Sequence, residues 1–246
     1  MSIPKIIHYC WFGGGPISEA DRKCMESWKK YCPDYKIIEW NEQNFEISAN
    51  RYAQQAYEAK KYAFVSDYVR LAVLYEYGGI YLDTDVELVR PLDELLELPG
   101  FMGFQTNNEV ATGLGFGARK GNSVVQALLR DYDALDFLKA DGSADLTPCP
   151  ERNTRVLQAL GVRKDGTRQS IAEMEIFPAE YFCPMDFYSR ELRVTPKTYS
   201  IHRYAESWKP KPSAVSRILQ RLLKKRYYTW YCPLRGRIEG RLRKRT

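Results

Sequence analysis

Two carboxylates stand one residue apart at Asp83-Thr84-Asp85, directly after the short apolar run Ile80–Leu82. Such a pair at the end of a strand suits Mg²⁺ or Mn²⁺, hard cations whose remaining positions phosphate oxygens and water can fill. Taken alone, D-x-D also describes two solvated turn acids. Upstream, Asp67 and Arg70 are three residues apart in a stretch of helical period and therefore share one face. Their plain reading is an intrahelical ion pair. The context adds weight, because Phe64 to Asp85 places a polar helix face, a glycine turn, an apolar strand and a carboxylate pair within 22 residues. His8 lies inside an apolar run and reads as a hydrogen-bonded core histidine. Trp11 fits a core or a site equally well. His202 ends another strand-like run and is followed by Ser207-Trp208; alone, a histidine in this setting reads as a core residue more readily than as a ligand. Gly113, Gly115 and Gly117 mimic G-x-G but lack the strand–helix setting of a dinucleotide fingerprint.

The elements that must position these residues alternate along the chain. Ile3–Cys10 reads as a buried strand ending in a Gly13-Gly14-Gly15-Pro16 loop. Ser18 with Asp21 three residues later predicts a capped helix to about Tyr31. A strand over Tyr35–Trp40, a helix from about Arg51 and a helix over Val65–Tyr77 closed by Gly78-Gly79 follow. Beyond Asp85 the pattern predicts a helical turn at Pro91–Leu98, strands near Phe101–Gln105 and Gly113–Ala118, and a helix from Ser123. Residues 139–170 read as loops around one helix, followed by strands at Met174–Phe177 and Thr198–His202. This alternation predicts an α/β domain.

Composition sets the outer bounds. With 246 residues, 44% apolar and 28% charged, the chain is of ordinary globular composition, which excludes disordered and fibrous classes for its bulk. No apolar run approaches the length of a spanning helix, and the N-terminal stretch lacks the long apolar segment and cleavage site of a secretory signal. The six cysteines are scattered without C-x-x-C spacing, which predicts reduced thiols in a cytosolic enzyme over a zinc site or disulfide scaffold. Charge is uneven. Residues 209–246 hold 13 Lys or Arg against one acid, Glu239, a net +12 that leaves −6 for residues 1–208 within the total of +6. Two regions are therefore expected, a body over 1–208 and a basic amphipathic tail over 209–246.

The string from Ser66 to Asp85 meets the pattern S-D-x-x-R-x-x-x-L-x-x-x-G-G-x-Y-x-D-x-D residue for residue. In this it resembles the glycosyltransferases whose sugar-binding region contains the DXD motif. That family includes initiating α-1,6-mannosyltransferases and bacterial capsular polysaccharide transferases, and it is distantly similar to the clostridial glucosylating toxins. Ile3–His8 with Trp11, and Thr198–His202 with Ser207-Trp208, resemble further family signatures, so the likeness covers roughly residues 3–208. It implies a GT-A-like fold, a mixed central sheet flanked by helices, here with a basic helical C-terminal extension. It also implies roles: Trp11 stacks on the nucleotide base, Asp67 and Arg70 hold donor-sugar hydroxyls, and Arg70 also stands near the diphosphate. Asp83 contacts ribose and sugar. Asp85, with Asp83 and His202, holds Mn²⁺ (or Mg²⁺), and Ser207 and Trp208 close over the diphosphate. Relatives carry an Asn near the strand where this chain has Thr112-Gly113, and Thr147–Arg152 falls where acceptor contacts are expected.

The function expected is transfer of a hexose from a nucleotide-sugar, UDP-sugar favoured, to a hydroxyl of a glycan acceptor, with retention implied by the resemblance. Front-side attack and a covalent intermediate both remain open. A nucleotide-sugar hydrolase and a non-catalytic glycan- or nucleotide-binding protein are the rivals. An acidic body without a nucleic-acid fold signature speaks against nucleic acid as partner. In the tail, Val215, Ile218, Leu222 and Leu223 recur at helical spacing among Arg217, Arg221, Lys224 and Lys225, and Tyr227, Tyr228, Trp230 and Tyr231 follow. This is the composition of a helix lying on an anionic membrane surface, which predicts a cytoplasmic enzyme, peripheral on the inner membrane face, and a lipid-linked acceptor.

Overall fold

A computed structural model describes residues 2–187 and 189–205. Ser207, Trp208 and the basic segment 209–246 lie outside the described residues. The body comprises residues 2–185 and 193–205, and residues 186–192 belong to a second unit. Its described part is a turn in which the Asp186 N–H donates to the Glu191 carbonyl at 2.9 Å.

The body starts with β1 (Ile6–Cys10) and α1 (Glu19–Tyr31), and the Ser18 hydroxyl accepts the Asp21 N–H at 3.1 Å, as the S-x-x-D spacing predicts. β2 (Lys36–Trp40) returns parallel to β1. α2 (Arg51–Glu58) is capped by the Asn50 side chain, and α3 spans Tyr62–Tyr77, nearly a turn longer than predicted because Phe64 joins the buried face. Gly78 (φ 66°) and Gly79 (φ 111°) turn α3 into β3 (Gly79–Tyr81). A Cβ on Gly79 would lie 2.8 Å from His8 Nε2, so the crossing needs glycine for its conformation and its closeness. β4 (Val86–Leu88), β5 (Gly100–Phe104), β6 (Val110–Ala111) and β7 (Phe116–Ala118) follow, then α4 (Ser123–Asp133) and α5 (Cys149–Ala159). β8 (Gln169–Ile171), β9 (Met174–Phe177), α6 (Ala179–Phe182) and β10 (Ser200–His202) complete the order.

The main sheet runs β2-β1-β3-β7-β5-β9-β8, with β6 on β5. β1 pairs in parallel with β2 and β3, β7 is antiparallel to β3 and β5, and β9 is parallel to β5. It is the α/β domain that the alternation predicts, with the mixed central sheet flanked by helices that the family resemblance implies. Tyr9 meets Trp28 of α1 on one face, while Cys10 and Trp40 join the cluster containing Val65, Val69 and Val73 of α3 on the other. Strand order reverses at β1, with β2 on one flank and β3 on the other, and the carboxyl ends of parallel strands at such a reversal are where open α/β sheets bind ligands. Among the described residues no helix is long and apolar enough to cross a membrane. The five described cysteines are buried.

His8 is structural, as its apolar setting predicts. Trp40 Nε1 donates to its Nδ1 at 3.0 Å, so Nε2 carries the proton and donates to the Gly78 carbonyl at 2.9 Å. Burial holds its pKa down to about 4 from 6.5. Between those values the unfolded chain binds the proton before the folded chain does. His8 therefore withdraws stability as pH falls through this window, on the order of 3 kcal/mol in all. Urea unfolding at pH 7.5 and pH 5 should show wild type losing more stability between the two than His8→Gln; equal losses would contradict the assignment.

Candidate active site

Trp11, one residue past β1, and Asp83, two residues past β3, stand at the carboxyl ends of adjacent strands. Asp83 is fixed by its backbone N–H, which donates to the Gly113 carbonyl at 3.1 Å. Its Oδ1 accepts the Tyr81 hydroxyl at 3.1 Å and pairs with Arg70 Nη2 at 3.2 Å. The same Nη2 lies 3.1 Å from Asp67 Oδ1. The intrahelical ion pair is thus present, and Arg70 also bridges α3 to the strand end. Arg70 Nε donates to the Ser66 carbonyl at 3.1 Å, Nη1 faces Thr112 Oγ1 at 3.5 Å and Cys149 Sγ at 3.8 Å, and the guanidinium lies 4.9 Å from the Tyr81 ring centre. So held, the guanidinium has one place to be. Burial pushes the Asp67 carboxyl up to about 6, against the pull of Arg70.

Asp85 is set by a second, smaller sheet. β10 pairs antiparallel with β4, with His202 opposite Val86, which brings His202 beside Asp85 across 117 residues of chain. α1 anchors β4 from outside: Trp28 Nε1 donates to the Val86 carbonyl at 2.7 Å, and the Leu88 N–H donates to Ser27 Oγ at 2.8 Å. His202 Nε2 lies 3.2 Å from Asp85 Oδ1, and the Ala205 N–H donates to Oδ2 at 2.8 Å. Burial opposes charge on both partners, yet their mutual attraction wins, raising the His202 pKa and holding the Asp85 carboxyl below the usual carboxylate range. Asp83, Asp85 and His202 can each offer a ligand atom with all three within 4.8 Å of one another, and His202 Nδ1 is buried without a partner. Two carboxylates and an imidazole suit a divalent cation, and the nitrogen favours Mn²⁺ over Mg²⁺.

The structure thus brings together Asp67, Arg70, Asp83, Asp85 and His202. Trp11 has no contact with this set; its indole N–H donates to the Gly15 carbonyl at 2.6 Å, while the Gly13 N–H donates to Glu42 at 2.6 Å. Several partners of the site escaped sequence reasoning. Tyr81 belongs to the quoted motif but had no role there. Thr112, Cys149 and Asn153 form a buried lattice against Arg70: Asn153 Nδ2 donates to Thr112 Oγ1 at 3.1 Å and lies 3.2 Å from Cys149 Sγ. The 149/153 spacing on one helix face was legible, but nothing in the sequence ties that face to α3. The Cys149 thiol is pushed up to about 12 by burial and is no nucleophile. Arg152 pins the preceding loop through Asp145 at 2.6 Å.

Residues 18–101 match the family described as "Glycosyltransferase sugar-binding region containing DXD motif". Over 144 residues the chain is 31% identical to inositol phosphoceramide mannosyltransferase 3 of Schizosaccharomyces pombe, covering 55% of this chain and 39% of that protein. It is 28% identical over 148 residues to human alpha-1,4-N-acetylglucosaminyltransferase, covering 60% of this chain and 38% of that protein. It therefore spans about two fifths of the length of these relatives. Among solved structures the PaToxG glycosyltransferase aligns with a TM-score of 0.47 at 21% identity, over 64% of this chain and 69% of that one. The Asp67–Arg70 pair and the Asp83/Asp85 carboxylates lie inside the matched region, so the part of the chain that carries the site is similar to the glycosyltransferase family whose sugar-binding region contains the DXD motif.

Proposed function

We propose that the chain transfers a hexose from a nucleotide-sugar, UDP-sugar favoured, to a hydroxyl of a glycan acceptor in a Mn²⁺- or Mg²⁺-dependent reaction that retains anomeric configuration. The observation that carries this reading is the meeting of Asp83, Asp85 and His202 within 4.8 Å, beside an Arg70 that is held rigidly by Asp67 and Asp83. Asp83, Asp85 and His202 hold the cation, which when bound offsets charge on the leaving diphosphate. Arg70 presents its guanidinium to the same charge, already oriented before the anomeric C–O bond breaks. Asp67 and Asp83 accept hydrogen bonds from donor-sugar hydroxyls, and Trp11 stacks on the base.

A lipid-linked acceptor fits two observations. One relative is named as a mannosyltransferase of inositol phosphoceramide, and residues 209–246 carry a net +12 with apolar residues at helical spacing. Each Lys or Arg near an anionic leaflet contributes about 1 kcal/mol, so half of the 13 basic residues suffice for reversible attachment at the cytoplasmic membrane face. Truncation after Trp208 should abolish co-sedimentation with phosphatidylserine vesicles while turnover of a soluble acceptor stays within about threefold; vesicle binding that survives truncation, or ignores salt, contradicts this.

The function itself is tested with a panel of UDP- and GDP-sugars and Mn²⁺, scoring nucleoside diphosphate release with and without glycan acceptors. Release that requires an acceptor supports transfer. Equal release without one identifies a hydrolase, and binding without release identifies a non-catalytic protein.

A further inference from the structure

Tyr204 sits in the left-handed backbone region, at φ 52°. For a bulky aromatic residue this costs on the order of 1–2 kcal/mol, and such positions persist where surrounding contacts enforce them. Here two of the contacts reach the cation-binding set. Before the turn, Arg203 continues the β10–β4 register and donates its N–H to the Asp85 backbone carbonyl at 2.9 Å; after it, the Ala205 N–H donates to Asp85 Oδ2 at 2.8 Å. Between them the Tyr204 ring meets the His202 ring nearly edge-on, at 4.3 Å between centres and 63° between planes. Its hydroxyl lies 2.8 Å from Cys183 Sγ, one residue past α6, and the side chain is buried. Metal-binding imidazoles are usually oriented by an outer carboxylate or carbonyl on the second nitrogen. His202 has no such partner, since Nε2 faces Asp85, itself one of the set, and Nδ1 is buried without a partner.

We infer that Tyr204 is a positioning residue for cation binding: its left-handed turn aims the Ala205 N–H at the Asp85 carboxylate, and its ring fixes the His202 imidazole in place of an outer hydrogen bond. The inference rests on the cation site proposed above. The chain holds the turn against its conformational cost because ring and turn are needed together. Glycine would relieve the backbone but leave His202 free to rotate. Phenylalanine would keep ring and turn and lose the hydroxyl's contact to Cys183.

The test is Mn²⁺ binding to the full chain without donor, read from the paramagnetic resonance of free Mn²⁺, alongside thermal unfolding. Tyr204→Gly should weaken Mn²⁺ binding about tenfold or more, within the range for loss of an outer-sphere partner, at a lowered thermal midpoint, because loss of a buried aromatic side chain outweighs the relieved backbone strain. Tyr204→Phe should bind within about threefold of wild type. If the glycine variant fails to fold, Tyr204→Asn, which also tolerates the left-handed region, should show the same loss. Wild-type binding with affinity unchanged in the glycine or asparagine variant would overturn the role of Tyr204 alone. Absence of Mn²⁺ binding by wild type would overturn the cation site and this inference with it.

Discussion

Replacing Asp85 by alanine should cut sugar transfer at least a thousandfold while the chain stays folded. Charge stabilisation by a bound cation is worth several kcal/mol in a transition state, and each 1.4 kcal/mol is a factor of about ten. Loss of one of two carboxylate ligands removes most of that. The fold should survive because Asp85 lies outside the main sheet, β4 being anchored independently by Trp28 and Ser27 of α1. The substitution leaves His202 without its anion, but imidazole can give up its proton, so the stability cost should be limited to about 2 kcal/mol. Asp85→Asn, which keeps an acceptor for the Ala205 N–H, should be nearly as inactive. Circular dichroism and single-turnover transfer separate the outcomes, and an alanine variant with more than a tenth of wild-type activity would contradict the role given to Asp85.

The second large effect is expected at Gly113, a residue with no chemistry of its own. A Cβ there would lie 1.9 Å from Asp83 Oδ2 and 2.8 Å from its Cγ, with Arg70 Nη1 at 3.3 Å. The first two distances are impossible contacts, so something must move. Gly113 does not adopt the left-handed conformation, so alanine suits the backbone, and the Asp83 side chain, at 28% exposed, has solvent to swing into. Gly113→Ala should therefore leave the thermal midpoint within about 5 °C of wild type, as for 1–2 kcal/mol in a chain of this size. It should lower kcat about a hundredfold, because a carboxylate displaced by an ångström no longer meets cation and sugar together. Activity within threefold of wild type would show that Asp83 need not occupy its observed position.

The different fates of Asp67, His202 and Asn153 show where sequence reasoning reaches. Asp67, Arg70, Asp83 and Asp85 fall within one continuous string, so local rules connect them: three residues place two side chains on one helix face, paired glycines end the helix, and an apolar run makes the strand. His202 is different. It reaches Asp85 only because β10 pairs with β4, and β4 is three residues long, too short for any periodicity to reveal. Family resemblance pointed to His202, whereas spacing could not. β6, β8 and α6 escaped for the same reason. The stretch Gly113–Ala118, predicted as one strand, is a strand only from Phe116. Its first residues pack on Asp83 and donate no ladder, with the Gly113 carbonyl taking the Asp83 N–H instead. The contacts of Cys149 with Arg70 and of Asn153 with Thr112 were beyond reach because the partners lie some eighty and forty residues earlier, brought together when α5 docks on β6 through Thr154, whose hydroxyl accepts the Val110 N–H at 2.8 Å.

The central claim is that Asp83, Asp85 and His202 hold a divalent cation against the donor diphosphate. It is tested most directly by measuring transfer from the preferred nucleotide-sugar after the full-length chain is stripped with excess chelator, then titrated with Mn²⁺. The account predicts loss of transfer on stripping and full recovery with Mn²⁺, saturating as a single site. Undiminished transfer in excess chelator would contradict it.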